Sequence, residues 1–227
     1  MSTQSSIAGK SAKPYKGLAM EGIIARWYAK NTGRAPEQKV IFNKVKGALP
    51  INANILEVAP GPGFLSIEFA KVGTYKVTAL EISKTFIEIA QANAKEASVH
   101  VDFRHGNASE MPFAENFFDF IICVAAFKNF TELVKAIREM HRVLKPGGKA
   151  CIMDLRRDVP LDKIEKHIKD DLHMSGINAF ITKVVFKTTL LKNAYTKSEI
   201  EKSVSQTSFT KLKIEEDALG MDIWLEK

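Results

Sequence analysis

The sequence predicts a single α/β domain: a mostly parallel seven-stranded sheet closed by an antiparallel C-terminal hairpin and carrying a helical cap. Three observations predict it. Between residues 54 and 155, short apolar runs alternate with helical patterns, as in NILEVA, GFLSIEFAKVG, KVTALEI and KTFIEIAQANAKEA, which is the rhythm of βαβ units. From Arg156 to Asn193 that rhythm breaks, and two helical patterns follow one another with no parallel strand between them. TKLKIEEDA and MDIWLEK then read as paired strands around Leu219 and Gly220.

Composition agrees with one folded domain. Of 227 residues, 45% are hydrophobic and 26% charged, enough apolar side chain for a sizeable core. No run of about 18 apolar residues exists to span a bilayer, and no secretory apolar stretch opens the chain, so a soluble, cytoplasmic protein is expected. The formal charge of +7 would suit an acidic partner, but the lysines are dispersed rather than gathered in a tract. Cys123 and Cys151 each lie inside an apolar run, where a thiol behaves as a small buried hydrophobe; no cysteine, histidine and carboxylate cluster has metal-ligand spacing.

Residues 1–17 have almost no apolar content and are expected to form a flexible tail preceding a single domain over 18–227. LAMEGIIARWYAKNTG and PEQKVIFNKVKGAL are amphipathic helices, the second opening on Pro36 and Glu37. VHVDFRHG alternates apolar and polar residues, as an edge strand does, whereas FFDFIICVAA is continuously apolar and belongs at the centre of the sheet. Leu133, Ile137, Met140 and Leu144 form one helical face that should stop at Pro146, Gly147 and Gly148, and KACIMDL is the fifth strand. The spacing of Thr196 and Glu199 is that of a capping box.

The most informative stretch is ILEVAPGPGFLSIEFA, an apolar strand, a glycine-bearing turn and a helix, an architecture that lets backbone amides approach a nucleotide-like ligand. Gly61 and Gly63 permit that approach, although a tight turn without a ligand has the same glycines. A dinucleotide fingerprint would put a third small residue at Ser66 and a pyrophosphate over the helix start. Glu57 would repel a pyrophosphate and suits a ligand carrying an ammonium and a sulfonium.

EVAPGPG resembles the first motif of the class I S-adenosylmethionine-dependent methyltransferases, with Ala59 in place of the usual first glycine, a change expected to narrow the turn rather than abolish binding. The resemblance implies a Rossmann-like fold and S-adenosylmethionine as cofactor. It implies that Glu81, ending KVTALEIS, accepts from both ribose hydroxyls, that Ile82 lies against the adenine, and that Asn107 and the amide of Ala108 in HGNASEMPF meet the adenine edge. FDFIICVAAFKNF and REMHRVLKPGGKACIMD are similar to the later blocks of the ubiquinone/menaquinone-biosynthesis methyltransferases; Val124, Ala125 and Phe127 would then line the donor and acceptor pockets.

The acceptor is expected to be an unidentified small molecule. Nucleic acid is disfavoured, because VAAF stands where amino-methylating enzymes of the class carry Asn/Asp-Pro-Pro-aromatic, and Cys123 has no adjacent proline. Nicotinamide-dependent oxidation, an RNA-directed activity and a catalytically silent adenosine-binding module remain as alternatives. Lys128, Arg156 and Arg157 follow strands at the sheet's carboxyl edge and are candidates to hold an anionic acceptor, with ordinary surface charge as the competing reading. His173, Tyr28 and Lys128 are the candidates for a general base; Tyr15, Trp27 and Tyr28 could close the pocket from the N-terminal side. Neither oligomeric state nor the methylated atom is defined by these residues.

Overall fold

The computed structural model describes residues 15–16, 20–31, 35–171 and 176–227. Seven strands form one sheet in the order β3-β2-β1-β4-β5-β7-β6. They are β1 (Asn54–Val58), β2 (Lys76–Glu81), β3 (Asp102–His105), β4 (Phe118–Val124), β5 (Leu144–Leu155), β6 (Lys211–Glu216) and β7 (Gly220–Glu226). The first five are mutually parallel, and β7 runs antiparallel to both β5 and β6. The apolar run of β4 lies between β1 and β5, and the alternating β3 is an edge, as their patterns predict.

The period of two along each strand divides the core into two layers. Leu56, Val58, Ile121 and Cys123 face Ile137 and Met140 of α5 (Leu133–Val143). Ile55, Ala79, Phe120 and Ile122 face Leu65 and Phe69 of α3 (Phe64–Ala70), with α2 (Ala35–Val45) beside it. The same period puts Glu57 on the Ile55 face and Glu81 on the Val77 and Ala79 face, so both carboxylates point toward the α3 layer. Burial pushes the Cys123 and Cys151 thiols up, as for inert core cysteines.

Helix α5 ends at Val143, earlier than its apolar periodicity suggests. Lys145 precedes Pro146, whose ring disfavours helical backbone at the residue before it. Leu144, one residue earlier, is already extended and pairs with Phe118, keeping its side chain buried but on a strand.

Helix α1 (Gly22–Asn31) packs on α4 (Lys84–Glu96), with Ala25 buried and Tyr28 edge-on to Phe86 at 5.8 Å. Beyond β5, the chain forms α6 (Leu161–Lys166), a π-helical turn to Asp171, α7 (Gly176–Val185), a second π-helical turn and α8 (Leu191–Asn193). Val159, Ile164, Ile168 and Leu191 give this segment a small core that also takes Leu155 and Leu219. Thr196 and Glu199 make the expected capping box at the start of α9 (Lys197–Val204). Among the described residues, no helix is long and apolar enough to cross a membrane.

Candidate functional site

The carboxyl ends of β1, β2 and β4 converge on the turn from Ala59 to Gly63. Gly63 is the N-cap of α3 at φ 79°, and a Cβ there would lie 2.8 Å from the Ala90 Cβ and 3.0 Å from the Phe103 ring, so only glycine lets α3 and α4 close together. Gly61, at φ 55°, has open space where its Cβ would project. Ala59 is also left-handed, at φ 58°, and its N–H is held by the Leu80 carbonyl at 2.8 Å. The substitution for glycine thus stores backbone strain rather than narrowing the turn. Ala59→Gly is expected to stabilise the fold by about 0.5–1 kcal/mol, or roughly 1–4 °C in Tm, because the relieved left-handed cost exceeds the added unfolded-chain entropy. A lower Tm in calorimetry would contradict this.

Glu81 joins this turn to β2. Its Oε1 accepts from the N–H groups of Ile82 at 2.8 Å and Ser83 at 2.9 Å, and its Oε2 accepts from Gly61 N–H at 3.0 Å. Burial raises its pKa despite these three donors. A carboxylate oxygen has about two acceptor positions, so Oε2 keeps one while Oε1 is filled. Glu81 thus has room for one further donor directly, and a second would have to share Oε1 with the backbone.

Glu57 is 3% exposed and accepts from the Ser66 hydroxyl on α3. Ser66, which departs from the dinucleotide fingerprint, is thus the residue that orients this carboxyl. Burial pushes Glu57 up to about 7, and the neighbouring Glu81 acts in the same direction. The folded protein therefore holds a proton that the unfolded chain releases near 4.5. The resulting stabilisation is complete below that value and is lost as pH rises through about 7. Glu57→Gln is expected to flatten that loss, by about 2 kcal/mol between roughly pH 5 and pH 8. An equal loss in wild type and variant during urea unfolding would assign the titration to another group.

The Asn107 side-chain carbonyl accepts from Ser109 N–H at 3.0 Å, closing a local turn, with Ala108 half-buried beside it. Ile82 is half-buried, and its carbonyl meets the exposed His105 ring at 3.1 Å. Val124 is half-buried at the end of β4, Ala125 is exposed at φ 56°, and Phe127 is buried. The structure therefore brings all of the predicted donor-side residues to one sheet edge.

The predicted cations are arranged differently. Lys128 is 6% exposed, with its ammonium 2.8 Å from Asp154 Oδ1 and 2.5 Å from the Ala125 carbonyl. It is a buried strut, not a cation presented to an acceptor or a general base. Arg156 pairs with Glu216 at 3.0 Å and Asp158 at 3.7 Å, and Arg157 pairs with Glu199, so carboxylates compensate all three charges. Trp27 is 64% exposed and does not close the pocket, and Tyr28 packs on Phe86. His173 lies outside the described residues, as do residues 1–14 and 17 of the expected tail.

Several contributors were missed in the sequence. Glu21 accepts from Lys84 N–H at 2.9 Å, Thr85 N–H at 3.1 Å and the Thr85 hydroxyl at 2.6 Å, and the Ser83 hydroxyl donates to the Met20 carbonyl. Lys16 N–H donates to the Asn129 carbonyl, Tyr15 bridges Phe130, and the Lys16 ammonium donates to the Tyr195 hydroxyl at 2.6 Å. Met20 and Glu21 are thus anchored at the start of α4, and Tyr15 and Lys16 at the residues beyond β4.

The sheet order with its reversed β7, the glycine turn after β1 and the acidic end of β2 define a class I S-adenosylmethionine-dependent methyltransferase fold. A nicotinamide-binding doubly wound sheet would continue with a parallel sixth strand where β7 stands. Residues 56–152 match the methyltransferase domain family. The chain is 38% identical over 111 residues to a demethylmenaquinone methyltransferase of Listeria welshimeri, a match covering 47% of each protein. It is 29% identical to the demethylmenaquinone methyltransferase of Chlorobaculum parvum over 160 residues, 70% of this chain and 62% of that one. The chain thus spans about half the length of the first of these curated relatives. A solved S-adenosylmethionine-dependent methyltransferase of Aquifex aeolicus shares the fold, with a TM-score of 0.64 at 17% identity over 84% of this chain and 89% of that one.

Proposed function

We propose that this protein transfers the methyl group of S-adenosylmethionine to a small-molecule acceptor of quinol type. The observation that carries the reading is the Glu81 carboxylate, buried at the end of β2 and tied to Gly61 N–H, with one acceptor position left on Oε2. Open space at Gly61 lets a ligand lie against the backbone there. Glu57 would answer the donor's ammonium, Ile82 and Asn107 would flank the adenine, and Val124, Ala125 and Phe127 would border the methyl group. The donor, when bound, supplies an electrophilic methyl: its C–S bond breaks as the bond to the acceptor atom forms, and the acceptor's proton leaves to solvent. The residues contribute positioning and exclusion of water. The quinol class follows from what the two named relatives methylate.

Incubation with methyl-labelled donor and a soluble 1,4-naphthohydroquinone is expected to place label on the quinol. Absence of label there, with label entering another class of metabolite from a mixed panel, would overturn the acceptor assignment. We further propose that the segment from α6 to α8 caps the acceptor. Slower amide exchange over residues 156–171 and 176–193 is then expected when S-adenosylhomocysteine and the quinol are both present; unchanged exchange there would make the segment static scaffold.

A further inference from the structure

Three of the cations at the carboxyl edge are neutralised by carboxylates: Lys128 by Asp154, Arg156 by Glu216 and Asp158, and Arg157 by Glu199. Lys16 is different. Its ammonium lies 2.6 Å from the Tyr195 hydroxyl and 4.6 Å from the centre of the same ring, so its partner is a phenol hydroxyl. An ammonium has three donors and no acceptor. In this contact Lys16 donates one hydrogen and the Tyr195 oxygen accepts it, which leaves the phenolic proton to be given to something else.

The surroundings of that proton are aromatic. The Tyr195 ring lies 6.2 Å from Phe127, and Phe127 lies 5.5 Å from Phe130 in an edge contact. Phe127 is two residues beyond Ala125, whose left-handed backbone turns the chain at the end of β4. Tyr195 is itself fixed from both sides: it bridges Arg156 at the end of β5, its carbonyl accepts from Arg157 N–H, and the capping box of α9 begins at the next residue. Lys16 is placed by its own backbone, through the Asn129 carbonyl and the Tyr15–Phe130 bridge. A phenol fixed at its backbone and an ammonium that pairs with no carboxylate among the described residues thus meet beside the Phe127 and Phe130 rings.

We propose that Lys16 and Tyr195 together hold the ionised oxygen of a hydroxyaromatic acceptor, Lys16 through a free N–H and Tyr195 through its phenolic proton. This rests on the methyltransferase reading and specifies how that site selects its acceptor. The hydroxyl of the acceptor gives its proton to water on binding, and the oxyanion that remains enriches the electron density of its ring and is held by two charge-assisted or phenolic hydrogen bonds. The other charged residues joined to Tyr195 through the backbone are Arg156, paired with Glu216 and Asp158, and Arg157, paired with Glu199, and both charges are compensated. Tyr195 and Lys16 are acceptor-positioning residues in this account.

4-Nitrophenol reports the proposal, because its neutral and ionised forms have separate absorption bands. It is titrated against the full chain with and without S-adenosylhomocysteine, for wild type, Tyr195→Phe and Lys16→Gln. Wild type is expected to bind the ionised form and to lower the pKa of the bound probe. Both variants should weaken its binding by at least about tenfold and return the bound probe toward its free pKa, while the affinity for S-adenosylhomocysteine changes less than about twofold. Tyr195→Phe keeps the ring against Phe127, and equal Tm values would show that folding is intact. Wild type failing to bind the probe, or both variants binding it as wild type does with the same spectrum, would overturn the proposal. Failure to bind S-adenosylhomocysteine would overturn the methyltransferase reading instead, and the titration without that ligand would still judge the Lys16–Tyr195 pair.

Discussion

Asp154→Ala is expected to destabilise the fold by about 3 to 5 kcal/mol, the largest single effect anticipated in this protein. Asp154 is 4% exposed at its side chain, and one carboxylate serves three donors: Lys128 ammonium and Leu155 N–H at Oδ1, and Lys128 N–H at Oδ2, each at 2.8 Å. Truncation leaves the Lys128 ammonium buried with the Ala125 carbonyl as its remaining partner among the described residues. It also removes the acceptors that fix the start of the turn after β4 and the end of β5. Replacing both charges, as in Lys128→Met with Asp154→Leu, should recover much of the loss, because the desolvation of an unpaired charge disappears with the charge. Equilibrium urea unfolding measures both. A loss below about 1 kcal/mol for Asp154→Ala would mean that Lys128 reaches water in the variant and that the pair is not a buried strut.

Glu81→Ala is expected to weaken S-adenosylhomocysteine by about 2 to 4 kcal/mol, roughly 30- to 1000-fold in Kd. Two losses combine. The ribose loses a charged acceptor, and Gly61, Ile82 and Ser83 lose the carboxylate that orders their N–H groups. Glu81→Gln separates them, since its single carbonyl oxygen can keep either the turn or the ligand but not the full set. An intermediate affinity is therefore expected for the amide. A Kd unchanged in Glu81→Ala would put the ribose elsewhere and would leave Glu81 as a purely structural clamp.

Much of this arrangement was legible in the sequence because it is local. The alternation of apolar runs placed β1 to β5, the capping box placed α9, and the glycine-bearing turn followed from Gly61 and Gly63 with an acidic residue at each adjoining strand end, although the left-handed backbone of Ala59 did not. What was not legible depends on partners far apart in the chain. Lys128 reads as a surface cation until Asp154, 26 residues later, is folded beside it. The same holds for Arg156 with Glu216 at a separation of 60 and for Arg157 with Glu199 at 42. Tyr195 and Lys16 are 179 residues apart, and neither lies in a motif. Charge at a site is set by pairing, which a single sequence does not display. The end of α5 differs from its apolar periodicity because Leu144 pairs with Phe118, 26 residues earlier, while Pro146 disfavours helix only from Lys145 on.

Calorimetric titration of the purified chain with S-adenosylhomocysteine, and separately with NADH, tests the central claim most directly. Saturable one-to-one heat with S-adenosylhomocysteine and none with NADH is the predicted result. Binding of NADH, with no heat from S-adenosylhomocysteine or S-adenosylmethionine at millimolar concentration, would contradict the account of the glycine turn, Glu57 and Glu81 given above.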